Sequence, residues 1–322
     1  MRLLITGCAG FIGSRVVARA VREEHEVVGV DNVNDAYDVR LKEWRLDQIS
    51  VLPGFTFARL DITDPAAVQA IFTRGPYDAV INLAARAGVR QSVFRPREFV
   101  DTNVIGVLNL LEACKEQRVP KFVLASTSAL YAGCPLPFSE DQPTDRVLSP
   151  YAASKKAAEV LAHSYAYLHG LDVAILRYFT VYGPAGRPDM SLFRFVQWMV
   201  EERPVVVFGD GRQSRDFTFV DDVAAGTLAA LTMKGYEVIN LGSDRPVVLL
   251  DAIRMIEDLT GKRADIRHEP GHPADLPATW ASIERARALL DWQPRISIED
   301  GLNRLVRWYG ENRTWASEID TT

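Results

Sequence analysis

Cysteine is the first thing this chain is short of. Its 322 residues hold only Cys8, Cys114 and Cys134. They are odd in number, widely spaced and without a C-x-x-C pair, which argues against a disulfide framework and against a zinc site. A reducing cytoplasm is the expected home. Histidine is scarce too: His25, His163, His169, His268 and His272 form no H-E-x-x-H pattern, so no metal is expected. Positive charge is not in excess. The net charge is −5, and with no basic stretch nucleic acid is not an expected partner. No run approaches the roughly 18 uninterrupted apolar residues of a membrane span. The opening MRLLITGCAGFIG is apolar, but glycines break it and no small-residue cleavage site follows, so it does not read as a leader.

What is present is an ordinary globular composition, 48% hydrophobic and 25% charged. That suits one large or two intimate domains with a core that needs no staples. The first half alternates β-branched runs with amphipathic segments. Strands are expected at 2–6, 26–31, 55–61, 77–85, 121–127 and 172–179, and helices at 11–24, near 65–74, and at 97–117 and 151–169. Near-continuous apolar strands separated by helices imply parallel βαβ units, and so an α/β fold with a Rossmann-type doubly wound parallel sheet. Past 180 the texture changes to turn-formers, with helices near 191–202, 221–232, 249–260 and 299–311 and a strand at 237–242. This reads as a smaller, segment-exchanged α/β substrate-binding domain. The expected division is 1–180 plus about 216–245 for a dinucleotide, and about 181–215 plus 246–322 for the substrate.

Gly7, Gly10 and Gly13 follow the first strand and lead into a helix opened by Phe11 and Ile12. Glycines let the backbone approach a pyrophosphate, and a helix N-terminus presents free N–H groups to it. Asp31 ends the second strand, followed by Asn32. A carboxylate there accepts from an adenosine ribose diol and repels a 2′-phosphate, so NAD is favoured over NADP. Asp61 and Ile62 end a third strand. They either flank the adenine or belong to the N-cap region of the helix that DITDP begins. Leu83, Ala84 and Ala85 end a fourth strand and would run along the cofactor.

Tyr151 and Lys155 stand four apart at the start of a helix that Pro150 opens, so they share a face. A tyrosine with pKa near 10 is a poor base at neutral pH. A neighbouring ammonium and a nicotinamide cation favour the phenolate, allowing proton exchange with a substrate hydroxyl while hydride moves. Thr127 ends a strand at the carboxyl edge of the sheet, where a ligand-facing hydroxyl belongs.

Taken together, TGCAGFIGS, VDNVND, NLAARAGVRQS, STSALY, YAASK, RYFTVYGP, GDGRQSRDFTFVDD and the DWQP tail resemble the extended short-chain dehydrogenase/reductases, the family of nucleotide-sugar epimerases and dehydratases. The likeness spans nearly the whole chain. Within the family, DNVNDAYDVRLK, AGVRQS and RYFTVYGPAGRPDM are most similar to segments of UDP-glucuronate 4-epimerases. The resemblance implies an NAD-dependent isomerase that takes a UDP-sugar and forms a homodimer. It makes Tyr151 the acid/base, Lys155 the holder of the nicotinamide ribose, and Thr127 a bridge to the sugar 4-hydroxyl. It adds Tyr178 to the cofactor site. It gives the substrate Arg90, Ser128, Thr180, Arg187, Arg215 and Asp275, with Arg215 and then Arg187 as candidates for the diphosphate. Thr180 replaces the asparagine of neutral-sugar epimerases, Ala129 a serine of uronate epimerases, and Asn82 a more usual histidine.

The family's 4,6-dehydratases carry an Asp-Glu pair after the threonine. Ser128 and Ala129 stand there instead, so dehydration lacks its acid and base. A glutamate typical of decarboxylases is absent as well. The chain is left with the minimal cycle of oxidising and re-reducing C4. A neutral UDP-sugar epimerase is the main alternative, a UDP-glucuronate decarboxylase the next, and a non-catalytic NAD-binding protein a third.

Overall fold

A computed structural model describes residues 1–271 and 276–321. The first half runs β1 (Arg2–Thr6), α1 (Phe11–Arg22), β2 (Glu26–Asp31), α2 (Val39–Ser50), β3 (Phe55–Arg59), α3 (Pro65–Phe72) and β4 (Ala79–Asn82). Two short helices, α4 (Val89–Phe94) and α5 (Pro96–Val100), pass through a π turn (Asp101–Ile105) into α6 (Gly106–Glu116). Then come β5 (Lys121–Thr127), a 3-10 turn (Ser128–Tyr131), α7 (Pro150–His169) and β6 (Asp172–Tyr178).

These strands form one parallel sheet in the order β3-β2-β1-β4-β5-β6, with a seventh strand, β10 (Tyr236–Leu241), outside β6. Alternate side chains point to opposite faces. Leu3, Ile5, Val27 and Ile81 therefore pack under α1, whereas Leu4, Val28, Val80 and Leu124 pack under α3, α6 and α7. With both faces covered, the strands are apolar throughout. The order reverses beside β1, so the carboxyl ends of β1 and β4 open a crevice.

Two expected strands are shorter than their apolar runs. β3 stops at Arg59 and β4 at Asn82, because residues 60–62 and 83–85 leave the ladder to line that crevice. The expected helix over 97–117 is interrupted. In the π turn, the buried Asn103 accepts from Arg86 N–H at 2.8 Å and donates to Arg86 C=O and Ser154 Oγ, both at 2.9 Å. The widened turn aims one amide at the strand-end segment that it holds. The helix α2 had no clear sequence signal. Its single buried face includes Lys42 and Arg45 as well as Leu41 and Ile49.

Beyond β6 the chain builds β7 (Thr180–Tyr182), α8 (Ser191–Val200), β8 (Val205–Phe208) and β9 (Ser214–Phe219). It returns to the large sheet for α9 (Val220–Ala229) and β10, then leaves for β11 (Pro246–Val248), α10 (Leu249–Thr260), β12 (Ile266–Glu269), α11 (Glu284–Leu290) and α12 (Ile298–Ala316). A three-stranded sheet β11-β9-β7 and the pair β12-β8 share a separate core built on Tyr182, Phe193, Val196, Phe217, Ile253 and Leu305. Among the described residues no helix is long and apolar enough to cross a membrane, and no cluster of His, Cys, Asp and Glu is placed to hold a metal.

Candidate active site

A single cleft of about 970 Å³ lies over the carboxyl ends of β1, β4, β5 and β6 and reaches β7 and β9. Tyr151, Lys155, Thr127, Ser128 and Thr180 all line it. Ser149 caps α7 by accepting from Ala152 N–H at 3.2 Å, and Pro150 occupies the first turn, so Tyr151 and Lys155 enter the cleft from a rigid helix start. Thr127 ends β5, and its Oγ1 accepts from Ala129 N–H at 3.2 Å, which turns the chain sharply and leaves Ser128 facing the cleft. The Phe99 ring stands edge-on to Tyr151, 6.1 Å between centroids.

The electrostatics differ from the expectation in one respect. Burial pushes the Tyr151 phenol above its ordinary value, and the groups that pull it back are the Thr127 hydroxyl and the Arg187 guanidinium. The Lys155 ammonium is turned instead to Ala125 C=O at 2.9 Å. Burial pushes Lys155 down to about 8, against the opposing pull of Glu159 one turn along the helix. Glu159 is itself buried, accepting from Ser126 Oγ at 2.6 Å and from Arg177 Nε and Nη2 at 2.9 and 2.8 Å. Arg177 Nη1 also donates to Tyr131 Oη at 2.7 Å, and Tyr131 donates to Asn240 at 2.7 Å. This buried network ties β5, β6, β10 and α7 together beneath Thr127 and Lys155.

The other end of the cleft fits a dinucleotide. A Cβ on Gly7, whose φ is +69°, would lie 2.6 Å from Ala84 N, and one on Gly13 would lie 2.0 Å from Gly7 O. The turn thus packs too tightly for any side chain, and Gly10 caps α1 with no side chain over its first N–H groups. Phe11, Ile12, Leu83, Ala84, Ala85 and Tyr178 line the same cleft. The Tyr178 hydroxyl is hydrogen bonded to Thr227 Oγ1 at 2.8 Å. Asp31 accepts from Ala9 N–H at 3.1 Å and from Val33 N–H at 2.8 Å, one bond to each carboxylate oxygen. A carboxylate has about four acceptor positions, so ribose hydroxyls still find partners there. Asn32 donates to Asp61 at 2.7 Å, joining two predicted cofactor residues. Burial raises Asp61, but bonds from Thr63 and Asn32 more than offset this and hold it below the usual carboxylate value. The helix N-cap is Asp64, so Asp61 and Ile62 are free to line the cleft.

The predicted substrate residues divide. Arg215 lines the cleft at the start of β9, donating to Ser214 C=O at 2.8 Å. Arg187 lines it too, paired with Asp189 at 2.6 Å and donating to Ala87 C=O at 3.1 Å. Arg90 does not: its guanidinium lies 4.0 Å over the Phe208 ring, while Val89 and Gln91 face the cleft. Asp275 lies outside the described residues; its neighbours Leu276 and Thr279 line the cleft.

These features agree with what the chain resembles. The model of the NAD dependent epimerase/dehydratase family matches residues 3–242. The chain belongs to that family. It is 53% identical over 310 residues to the UDP-glucuronate 4-epimerase of Thermodesulfobacterium geofontis, covering 96% of each chain. Its fold matches the crystal structure of UDP-glucuronic acid 4-epimerase from Bacillus cereus in complex with UDP-glucuronic acid and NAD, with a TM-score of 0.91 and 36% identity over 97% of this chain and all of that one. The UDP-glucose 4-epimerase of Thermotoga maritima matches with a TM-score of 0.89 and 30% identity, over 97% of this chain and 100% of that one.

A 4,6-dehydration needs an acid and a base beside the threonine. Here Ser128 and Ala129 line the cleft and neither carries a carboxylate. Several cleft residues escaped the sequence reading. Tyr37, Lys42 and Arg86 line it, and Arg45 lies buried behind it. Lys42 and Arg45 sit in VRLKEWR, where the one available signal is that the two cations stand three apart and so share a helix face.

Proposed function

We propose that this chain is a UDP-glucuronate 4-epimerase, interconverting UDP-glucuronate and UDP-galacturonate through a 4-keto sugar with NAD retained through each cycle. The observation that carries it is the Tyr151–Thr127 pair, flanked by Ser128, Thr180 and Arg187 in one cleft, with no acid following the threonine. NAD held in this cleft would supply the hydride acceptor and donor for sugar C4. Tyr151 takes the 4-hydroxyl proton and gives it back, and Thr127 bridges phenol and sugar. Lys155 holds the nicotinamide ribose. Asp31, Asn32, Asp61 and the glycine turn hold the adenosine and pyrophosphate. Arg215 binds the UDP diphosphate through its planar fork. Arg187, whose charge is felt at Tyr151, stands at the sugar end.

A uronate adds a hazard, because its 4-keto form is a β-keto acid and loses CO₂ readily. Ser128 and Thr180 hold the carboxylate by neutral hydroxyl bonds, so that its C–C bond stays out of line with the ketone. Thr180→Val is expected to slow turnover and raise the UDP-pentose by-product; an unchanged product ratio removes that role. We further read the outer face of the π turn and α7, where Ile105, Val160, Tyr167 and Leu168 are exposed, as the contact between two copies. The three unpaired cysteines suit a reducing cytoplasm.

The deciding experiment is incubation of the purified protein with UDP-glucuronate and no added NAD. A mixture with UDP-galacturonate establishes the reaction and the retained cofactor. Conversion to UDP-pentose makes the protein a decarboxylase, and turnover of UDP-glucose alone makes it a neutral-sugar epimerase.

A further inference from the structure

Arg45 of α2 is among the largest fully buried side chains, 2% exposed, and the reaction above makes no use of it. Its acceptors are all neutral. Nε and Nη2 donate to Ala185 C=O at 2.9 and 2.7 Å, and Nη2 also reaches Gly186 C=O at 3.0 Å. Nη1 donates to Tyr37 Oη at 2.6 Å and to Ala9 C=O at 3.4 Å. A buried cation with no carboxylate partner is a costly way to fill space, so a role is indicated. Its two groups of acceptors are far apart in sequence. Ala9 belongs to the glycine turn of the cofactor site. Ala185 and Gly186 immediately precede Arg187, and Ala185 is held at a left-handed φ of +54°. Two further contacts run the same way. Arg15 of α1 reaches Pro184 C=O at 3.5 Å, and the Tyr37 ring has both the Arg45 and the Arg187 guanidinium over it, 5.4 and 6.0 Å from its centroid.

We propose that Arg45 is a positioning residue, a buried strap that ties the dinucleotide turn to the 183–187 loop and so sets Arg187 beside Tyr151. This rests on the epimerase reading of the same cleft. A guanidinium spans these carbonyls at once because its donors are fixed in a plane; an ammonium reaches fewer of them. With the strap cut, Arg187 shifts relative to Tyr151 and to the sugar. Small misplacements of this kind are costly in rate even when the altered residue is remote from the chemistry.

The test compares Arg45→Lys, Arg187→Gln and the double variant. The groups facing Tyr151 are Thr127 of β5, Phe99 of α5 and Arg187, which is paired with Asp189; Lys155 of its own helix is turned to Ala125 C=O. Since Arg187 favours the phenolate, Arg45→Lys is expected to lower kcat by roughly 10- to 100-fold and to move the rising limb of its pH profile to higher pH. In the Arg187→Gln background the same substitution should move that limb no further. Hydrogen exchange should quicken at the amides of Gly183, Ala185, Gly186 and Arg187 while α12 stays protected. A limb that does not move, or one that moves equally in both backgrounds, overturns the strap. If Arg45→Lys does not fold, Tyr37→Phe removes one acceptor of the same guanidinium and should give smaller shifts of the same sign. If the unaltered chain fails to turn over UDP-glucuronate, the epimerase reading falls instead. Exchange at 183–187 then decides the strap alone, and an unchanged rate overturns it.

Discussion

Burial acts on Tyr151 and Lys155 in opposite directions, raising the phenol and lowering the ammonium, so each is pushed toward its neutral form. The chain's own counterweights to Tyr151 are a hydroxyl at the end of β5 and a guanidinium from the 183–187 loop. Tyr151→Phe is expected to lower epimerisation by about 10²- to 10⁴-fold while leaving the NAD content of the purified protein unchanged, which absorbance after denaturation measures. A second residue-scale effect lies far from the cleft. Lys121, buried on β5 and donating to Met233 C=O at 2.7 Å, is pushed down to about 8 by burial, partly against Asp172. An unfolded lysine keeps its proton to about pH 10.4. Between those values the unfolded state binds more protons, so this lysine makes stability rise with pH. Lys121→Met should therefore be more stabilising, or less destabilising, at pH 7.5 than at pH 9.5 in urea titrations at both pH values.

At the scale of elements, the turn from β1 into α1 and the network beneath β5 decide whether the cleft keeps its shape. A methyl on Gly13 would stand 2.0 Å from Gly7 O and 2.8 Å from Gly7 C, so backbone has to move. Gly13→Ala is expected to purify with much less NAD and to melt at lower temperature. The buried Arg177–Glu159 pair, 4% and 2% exposed, joins β6 to α7. Arg177→Met would leave Glu159 buried with only Ser126 and a longer contact to Lys156 at 3.5 Å. A loss of about 3–5 kcal/mol of stability is expected in denaturant titration, with Glu159→Gln in the same chain recovering part of it.

At the scale of the molecule, the cleft lies where two cores meet. The large sheet supplies Thr127, Tyr151 and the glycine turn; the second core supports Thr180 and Arg215 on β7 and β9. Arg45, Arg15 and Tyr37 connect the two sides through the 183–187 loop. The outer surface of α7 leaves Val160, Tyr167 and Leu168 to solvent in a single chain. An apolar helical stripe of this kind would be covered in the proposed pairing of two copies. If that stripe is the contact between two copies, light scattering is expected to give a dimeric mass for the unaltered chain and a monomeric one for Val160→Asp, with the helical content intact.

The sequence by itself determined the parts that rest on near neighbours in the chain. The glycine turn follows its strand directly, and Tyr151 and Lys155 share a helix face because they stand four apart. The alternation of apolar runs with amphipathic segments called for parallel βαβ units with helices on both faces of a sheet. Tertiary structure decided the parts that rest on distant partners. It buried Lys42 and Arg45 on α2, because carbonyls of residues 34, 185 and 186 come to meet them. It turned Arg90 onto Phe208 and Arg187 toward Tyr151, although the resemblance had given both alike to the substrate. A charged side chain's burial is set by acceptors that arrive from elsewhere in the fold, and local spacing carries no record of them.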